Sequence, residues 1–205
     1  MAKVLVLFAH PALEHSRVHR RLNEVVRPGP DVTFHDLYEA YPRLDVDVAR
    51  EQKLLLEHDV IVLQYPFYWY STPPILKQWM DLVLEHGWAY GSEGKALVGK
   101  TFLCAISAGG REEAYCSAGY NRFTVRQLLA PVEQTARLCG MEFLPPFVVF
   151  GTHSLPEDGI RAEAGRYARL LDALVAGEPD AAERRRLADA LTINGFVSRL
   201  EETPA

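Results

Sequence analysis

Cysteine is scarce, with three in 205 residues (Cys104, Cys116 and Cys139), and no two stand in CxxC spacing. An odd count without paired spacing speaks against a disulfide framework and against a zinc site. The three are expected to be inert thiols, with Cys116, in a loop, the most reactive. No metal site is expected. Long hydrophobic runs are missing too, and the longest apolar stretch is far too short to cross a bilayer. A basic stripe is equally absent: 22 Lys and Arg are interspersed with 27 Asp and Glu, for a net charge of −5, which argues against a nucleic-acid surface. Neither a GxGxxG nor a P-loop glycine pattern occurs, so nucleotide binding through those devices is disfavoured. Met1-Ala-Lys3 enters a strand pattern at once and leaves no room for a targeting segment, which makes the cytoplasm the expected location.

Short apolar runs alternate with longer amphipathic stretches, the pattern of βα units around a parallel sheet. Strands are expected at Val4 to Ala9, Val32 to Asp36, Val60 to Tyr65, Thr101 to Ser107 and Phe147 to Gly151. Helical periodicity fills Arg17 to Val26, Val48 to Glu57, Pro74 to His86, Pro131 to Cys139 and Glu157 to Val175. Val4-Leu-Val-Leu-Phe8 is apolar throughout, as a strand covered on both faces should be. Five such units give an α/β fold of flavodoxin-like type, a three-layer sandwich around a five-stranded parallel sheet of order 2-1-3-4-5. The composition shifts near Gly177, so residues 1–177 are taken as the main domain and 178–205 as a charged helical extension. Its Arg184-Arg-Arg186 triplet is best explained as a solvated helix face.

Three segments at strand ends carry the chemistry. His10-Pro11 follows the first strand, and Ser16 stands where a helix begins; a serine there caps the helix and donates to a phosphate held by the helix start. The dipole alone contributes only about 0.3–1 kcal/mol, so His10 is expected to supply a cation or a hydrogen bond, with Arg17 or His19 contributing and Val18 adjacent. The run Tyr65-Pro-Phe-Tyr-Trp-Tyr70 places aromatic surface on a loop, which is costly unless it meets a ligand or a second subunit. Amides around Phe67, Tyr68 and Trp69, beside Pro66, would bond the edge of a flat ring. Ser107-Ala108-Gly109-Gly110 ends another strand, where the glycines let main chain approach closely and donors meet negative charge arising on reduction. Tyr115 or Tyr120 would add a hydroxyl. A flat ring with a phosphate tail fits a flavin. Core filling is the competing account of the aromatics, and His153 reads as structural rather than catalytic.

The joint pattern of Ala9-His10-Pro11 with Ser16, Trp69-Tyr-Ser-x-Pro-Pro74, Leu76-Lys77-x-Trp79-x-Asp81, His86-Gly-Trp-Ala-Tyr-Gly91, Gly109-Gly110 and Leu144-Pro-Pro146 resembles the flavodoxin-like NAD(P)H:quinone oxidoreductase family. Within it the chain is most similar to the ancillary oxidoreductases of glutathione-regulated potassium-efflux systems. The resemblance implies a homodimer with flavin at the interface: FMN, with FAD open, and NAD(P)H as co-substrate for a quinone-like acceptor. It places flavin contacts on His10, Ser16 with His19, Pro66 to Trp69 and Ser107 to Gly110, and sets Tyr115 beside the flavin. Gly109, Gly110 and Tyr115 are the expected catalytic group, and Trp69, Trp88 and Tyr120 the expected substrate pocket, with Trp88 reaching across the dimer. Where the family has a nearby histidine, this chain has Tyr120 or Asn121. A membrane potassium-efflux protein is the implied partner, with peripheral attachment to the inner membrane; a regulatory subunit of such a system is the rival function. A flavodoxin-type electron carrier and a colourless sugar or nucleotide binder are further alternatives.

Overall fold

The computed structural model describes residues 1–202, so the last three positions of the expected extension 178–205 lie outside the described residues. Strands β1 (Val4–Phe8), β2 (Val32–Asp36), β3 (Val60–Pro66) and β4 (Thr101–Ser107) form a parallel sheet in the order β2-β1-β3-β4. Side chains along β1 alternate between two cores. Leu5 and Leu7 face one, and Val4 and Val6 the other, so every position is buried and the strand reads as continuously apolar. The fifth sheet position differs from expectation. Two short strands, β5 (Glu142–Phe143) and β6 (Phe147–Val149), both pair with β4. Between them Leu144-Pro145-Pro146 breaks the ladder because proline has no N–H to donate. β6 stops before Gly151, whose φ of +66° turns the chain away.

Helices α1 (Arg17–Val25) and α7 (Glu157–Ala176) cover one face. The short α2 (Leu37–Ala40), with α3 (Val48–Glu57), α4 (Pro74–Val83), the single-turn α5 (Val125–Leu128) and α6 (Ala130–Leu138), covers the other. Local sequence explains where they start. Ser16 accepts from the His19 amide at 3.0 Å and Asp47 from the Arg50 amide at 3.0 Å, each satisfying one orphan donor. Pro74 occupies the first turn of α4, where no N–H is needed. That helix ends at Val83, short of the expected His86, because Leu84 leaves helical conformation at ψ 67°.

The extension folds as α8 (Ala181–Leu187) and α9 (Asn194–Glu202), and Leu187, Ile193, Phe196 and Val197 join the α1/α7 core. The Asn194 amide closes the open edge of β6. Its Oδ1 accepts from the Val148 amide at 3.0 Å and its Nδ2 donates to the Val148 carbonyl at 2.8 Å. An unpaired strand edge is a template for aggregation, and this side chain takes the place of a neighbouring strand. Arg184 is not solvated as expected: it bonds Glu142 at 2.6 Å and Thr101 at 2.9 Å.

Under α4 lies a charged group in an apolar layer. Glu51 is fully buried and accepts from Tyr41 Oη at 2.5 Å, His35 Nε2 at 2.9 Å and Trp79 Nε1 at 2.8 Å. Burial alone would raise its pKa, but the three partners outweigh it and hold the carboxyl below the usual range. Because the folded value is depressed, this contribution is present above the ordinary carboxylate pKa and is lost as pH falls through the lower one. We expect Trp79→Phe, which removes three buried ring atoms, the donor among them, to cost about 1.5–3 kcal/mol for the bond and more for the void left behind. Urea unfolding at neutral pH checks this, and an unchanged midpoint would show that the bond contributes nothing.

Candidate functional site

The carboxyl ends of β1, β3 and β4 open onto the same side of the sheet, and β1 and β3 flank the point where strand order reverses, the usual ligand position in open α/β sheets. A cleft of about 500 Å³ lies there. Among the expected residues it is lined by His10, Ser16, Arg17, Val18, Phe67, Tyr68, Trp69, Ser107, Gly109 and Tyr115, joined by His15, Tyr70, Thr152 and His153. His19, Pro66, Ala108 and Gly110 do not line it, though each is the chain neighbour of a residue that does. Ala108 donates to the Val149 carbonyl at 2.8 Å, and Gly110 accepts from the Gly151 amide at 2.9 Å. Tyr120 is 91% exposed, and Trp88 packs partly buried against the α3/α4 core. Neither lines the cleft of a single chain.

Ser107 joins three elements. Its carbonyl accepts from the Phe67 amide at 2.9 Å, and its Oγ meets His19 Nε2 at 2.9 Å. The end of β4 is thereby tied to the β3 loop and to the first turn of α1. Beyond Phe67, Trp69 and Tyr70 both take left-handed conformations, with φ of +52° and +60°. Such conformations cost on the order of 1–3 kcal/mol each in non-glycine residues and gather at functional sites. The consequence is a Trp69 ring that is 93% exposed at the rim of the cleft.

Of the two roles open to His10 and His19, cation or hydrogen-bonding group, the cationic one is ruled out by burial. Burial lowers the His10 pKa to about 4, against a small opposing pull from Glu14. Burial and then the neighbouring His10 lower His19 to about 3. Both are neutral at neutral pH, so positive charge near the α1 start comes from Arg17, at the mouth of the cleft, and from the helix end itself. His10 Nδ1 accepts from the Ala12 amide at 3.1 Å, which leaves the hydrogen on Nε2. Ser16 Oγ accepts from the His19 amide, so its own hydrogen remains available to an anion. Burial, followed by the nearby Tyr70 hydroxyl, raises the Tyr115 pKa and keeps the phenol a protonated donor. Tyr70 Oη donates to Asn121 Oδ1 at 3.0 Å. Cys116 is half-buried, its Sγ 3.4 Å from the Glu113 carbonyl. Among the described residues no cluster of His, Cys, Asp and Glu is arranged to hold a metal, and no helix is long and apolar enough to cross a membrane.

Of the four lining residues that sequence reasoning left out, Tyr70 belongs to the aromatic run and His15 precedes the capping serine. Thr152 and His153 arrive from the loop after β6. The available signal was position alone, since loops following parallel strands converge on one side.

A family model described as flavodoxin-like fold matches residues 2–171, and the chain belongs to that family. It is 41% identical over 170 residues to the glutathione-regulated potassium-efflux system ancillary protein KefF of Klebsiella aerogenes, covering 82% of this chain and 95% of the relative. Among solved structures, general stress protein 14 of Treponema denticola in complex with FMN is 43% identical with a TM-score of 0.79, covering 84% of this chain and 99% of that one. An NADPH-quinone reductase of P. pentosaceus is 32% identical with a TM-score of 0.74, covering 82% and 97%.

The His19 environment sets a pH dependence. Its folded pKa of about 3 lies below the ordinary 6.5, so between those values the unfolded chain binds more protons and stability rises with pH. The contribution is complete above 6.5 and is lost as pH falls. Between pH 7 and pH 5 the loss from this residue is about 2 kcal/mol at 1.36 kcal/mol per pH unit. Urea midpoints at the two pH values should fall more for the native chain than for His19→Gln; equal falls would contradict the assignment.

Proposed function

We propose that this protein is an FMN-dependent NAD(P)H:quinone oxidoreductase, acting as a homodimer with the flavin at the interface. The observation that carries this reading is the convergence of the Ser16 helix start, the Tyr68-Trp69-Tyr70 shelf and the Gly109 backbone around one cleft. The residues present suit the group. Ser16 with the open amides of α1 and Arg17 would hold the phosphate. Aromatic side chains would wall the ring, and Gly109, with no Cβ, leaves main chain bare at that edge beside His153. The FMN-containing relative at 43% identity favours FMN over FAD, and the NADPH-quinone reductase relative favours a nicotinamide donor and a quinone acceptor.

Bound FMN would supply the two-electron chemistry, accepting hydride from the nicotinamide and passing electrons to the quinone, which replaces it in ping-pong order. The chain's own part is positioning and charge. Trp69 would press a flat substrate into near-attack geometry. Tyr115, held protonated, would donate to negative charge that arrives with the hydride. Exposed Trp69, Tyr120 and Phe123 supply apolar surface for a second copy to cover, and Trp88 would enter the substrate pocket from that copy.

A second reading rests on the KefF relative, nearly all of whose length this chain matches: docking on a potassium-efflux membrane protein, with redox activity secondary. The chain would then be cytoplasmic and peripheral to the inner membrane. Co-purification with such a channel would distinguish the two.

We expect purified protein to be yellow, to carry one FMN per chain and to oxidise NADPH with menadione as acceptor. Tyr115→Phe should lower turnover by about tenfold or more while flavin occupancy is kept. A colourless protein that neither binds added FMN nor oxidises NADPH would contradict the proposal.

A further inference from the structure

Reduction of a flavin by hydride leaves negative charge on the pyrimidine edge of the ring, and a protein that stabilises the reduced form must place a donor there. In this cleft the candidates are few. His10 follows β1 and His19 lies in the first turn of α1, on the Ser16 side of the cleft, and His19 Nε2 is engaged by Ser107 at 2.9 Å. Arg17 leans on Glu157 at 3.8 Å and His15 on Glu14 at 3.5 Å. Asn121, near the position where a histidine would be sought from the sequence, has its side-chain oxygen taken by Tyr70 and its amide by the Tyr115 hydroxyl, and Tyr120 is turned to solvent.

His153 differs from all of these. It leaves the sheet on the loop after β6, lines the cleft, and lays its ring against Gly109 so closely that Nε2 occupies the space a Cβ would need. Among the described residues no hydrogen bond or ion pair engages its ring, and its side chain is exposed to the cleft rather than packed in the core. Gly109 and His153 therefore form one wall, the imidazole lying against the bare main chain of the glycine. Tyr115 stands next to it, its ring 3.1 Å from where a Cβ of Gly110 would lie.

We infer that His153 is a catalytic residue of this site, donating from its ring to the negatively charged edge of the reduced flavin alongside Tyr115. The inference rests on the flavin reading above and adds to it the group that favours the reduced state. In balance, hydride brings two electrons and one proton to the ring, the nicotinamide leaves oxidised, and the imidazole N–H meets the remaining charge without a covalent step. When a quinone takes the electrons, that charge disappears and the bond is lost, so the bond opposes reoxidation by as much as it favours reduction.

The test compares FMN binding in the two oxidation states rather than turnover. The native protein, His153→Ala and His153→Gln are each titrated with FMN, and the two-electron midpoint potential of the bound flavin is measured by equilibration with a reference dye. We expect His153→Ala to bind oxidised FMN within about twofold of the native protein and reduced FMN about tenfold more weakly. That corresponds to a midpoint about 30 mV more negative for a two-electron couple. His153→Gln, which keeps an N–H donor, should shift less. An unchanged potential in His153→Ala, or an equal weakening of both oxidation states, would overturn the assignment. Failure of the native protein to bind FMN at all would overturn the flavin reading instead, so the two outcomes are distinguishable.

Discussion

The cleft depends on the side chain and carbonyl of Ser107. One residue at the end of β4 accepts the Phe67 amide and meets the His19 imidazole, both at 2.9 Å, so three loops that would otherwise move separately are referenced to one point. Loops are ordinarily the mobile part of an α/β fold. Here the segments bearing Ser16, Trp69 and Gly109 inherit the rigidity of the sheet, and preorganisation of this kind lets hydrogen-bond donors act without reorganising. His19 takes part as a neutral ring because its complete burial forbids the charge.

A second constraint is the strain carried by Trp69 and Tyr70. Two consecutive aromatic residues in left-handed conformation are unfavourable unless the surroundings dictate them. The surroundings do so from both ends: β3 is buried along its whole length, and Pro73-Pro74 fixes entry into α4. Beneath α4, Glu51 bonds the Trp79 indole and links it to His35 on β2 and to Tyr41. The aromatic shelf thus rests on a helix anchored by a buried carboxylate, and a chain of named contacts runs from the apolar core to the rim of the cleft.

Much of this was legible in the sequence, for physical reasons. Strands buried on both faces must be continuously apolar, so β1, β3 and β4 stand out, and Ser16, Asp47 and Pro74 mark helix starts because orphan amides need a cap or a proline. The site was legible to the extent that strand-end loops converge. What failed to show depended on distance in the chain. His153 meets Gly109 only after a full βα unit has intervened. The Asn194 clamp on β6 and the Glu51 network pair residues whose polar character suggests a surface. The split of the fifth strand was written in Pro145-Pro146, yet two residues of β5 are too few to declare a strand. For His10 and His19 the choice between cation and neutral hydrogen-bonding group stayed open because nothing local reveals that burial will neutralise them.

The central claim is that the first turn of α1 and the loops tied to Ser107 form one site for a planar ring with a phosphate. Titration of the apoprotein with FMN and with riboflavin, which share the ring and differ in the phosphate, tests it most directly. Two charge-assisted bonds from the Ser16 region, at about 1.5–3 kcal/mol each, predict that FMN binds at least about a hundredfold more tightly. Equal affinities, or no binding of either, would contradict the account.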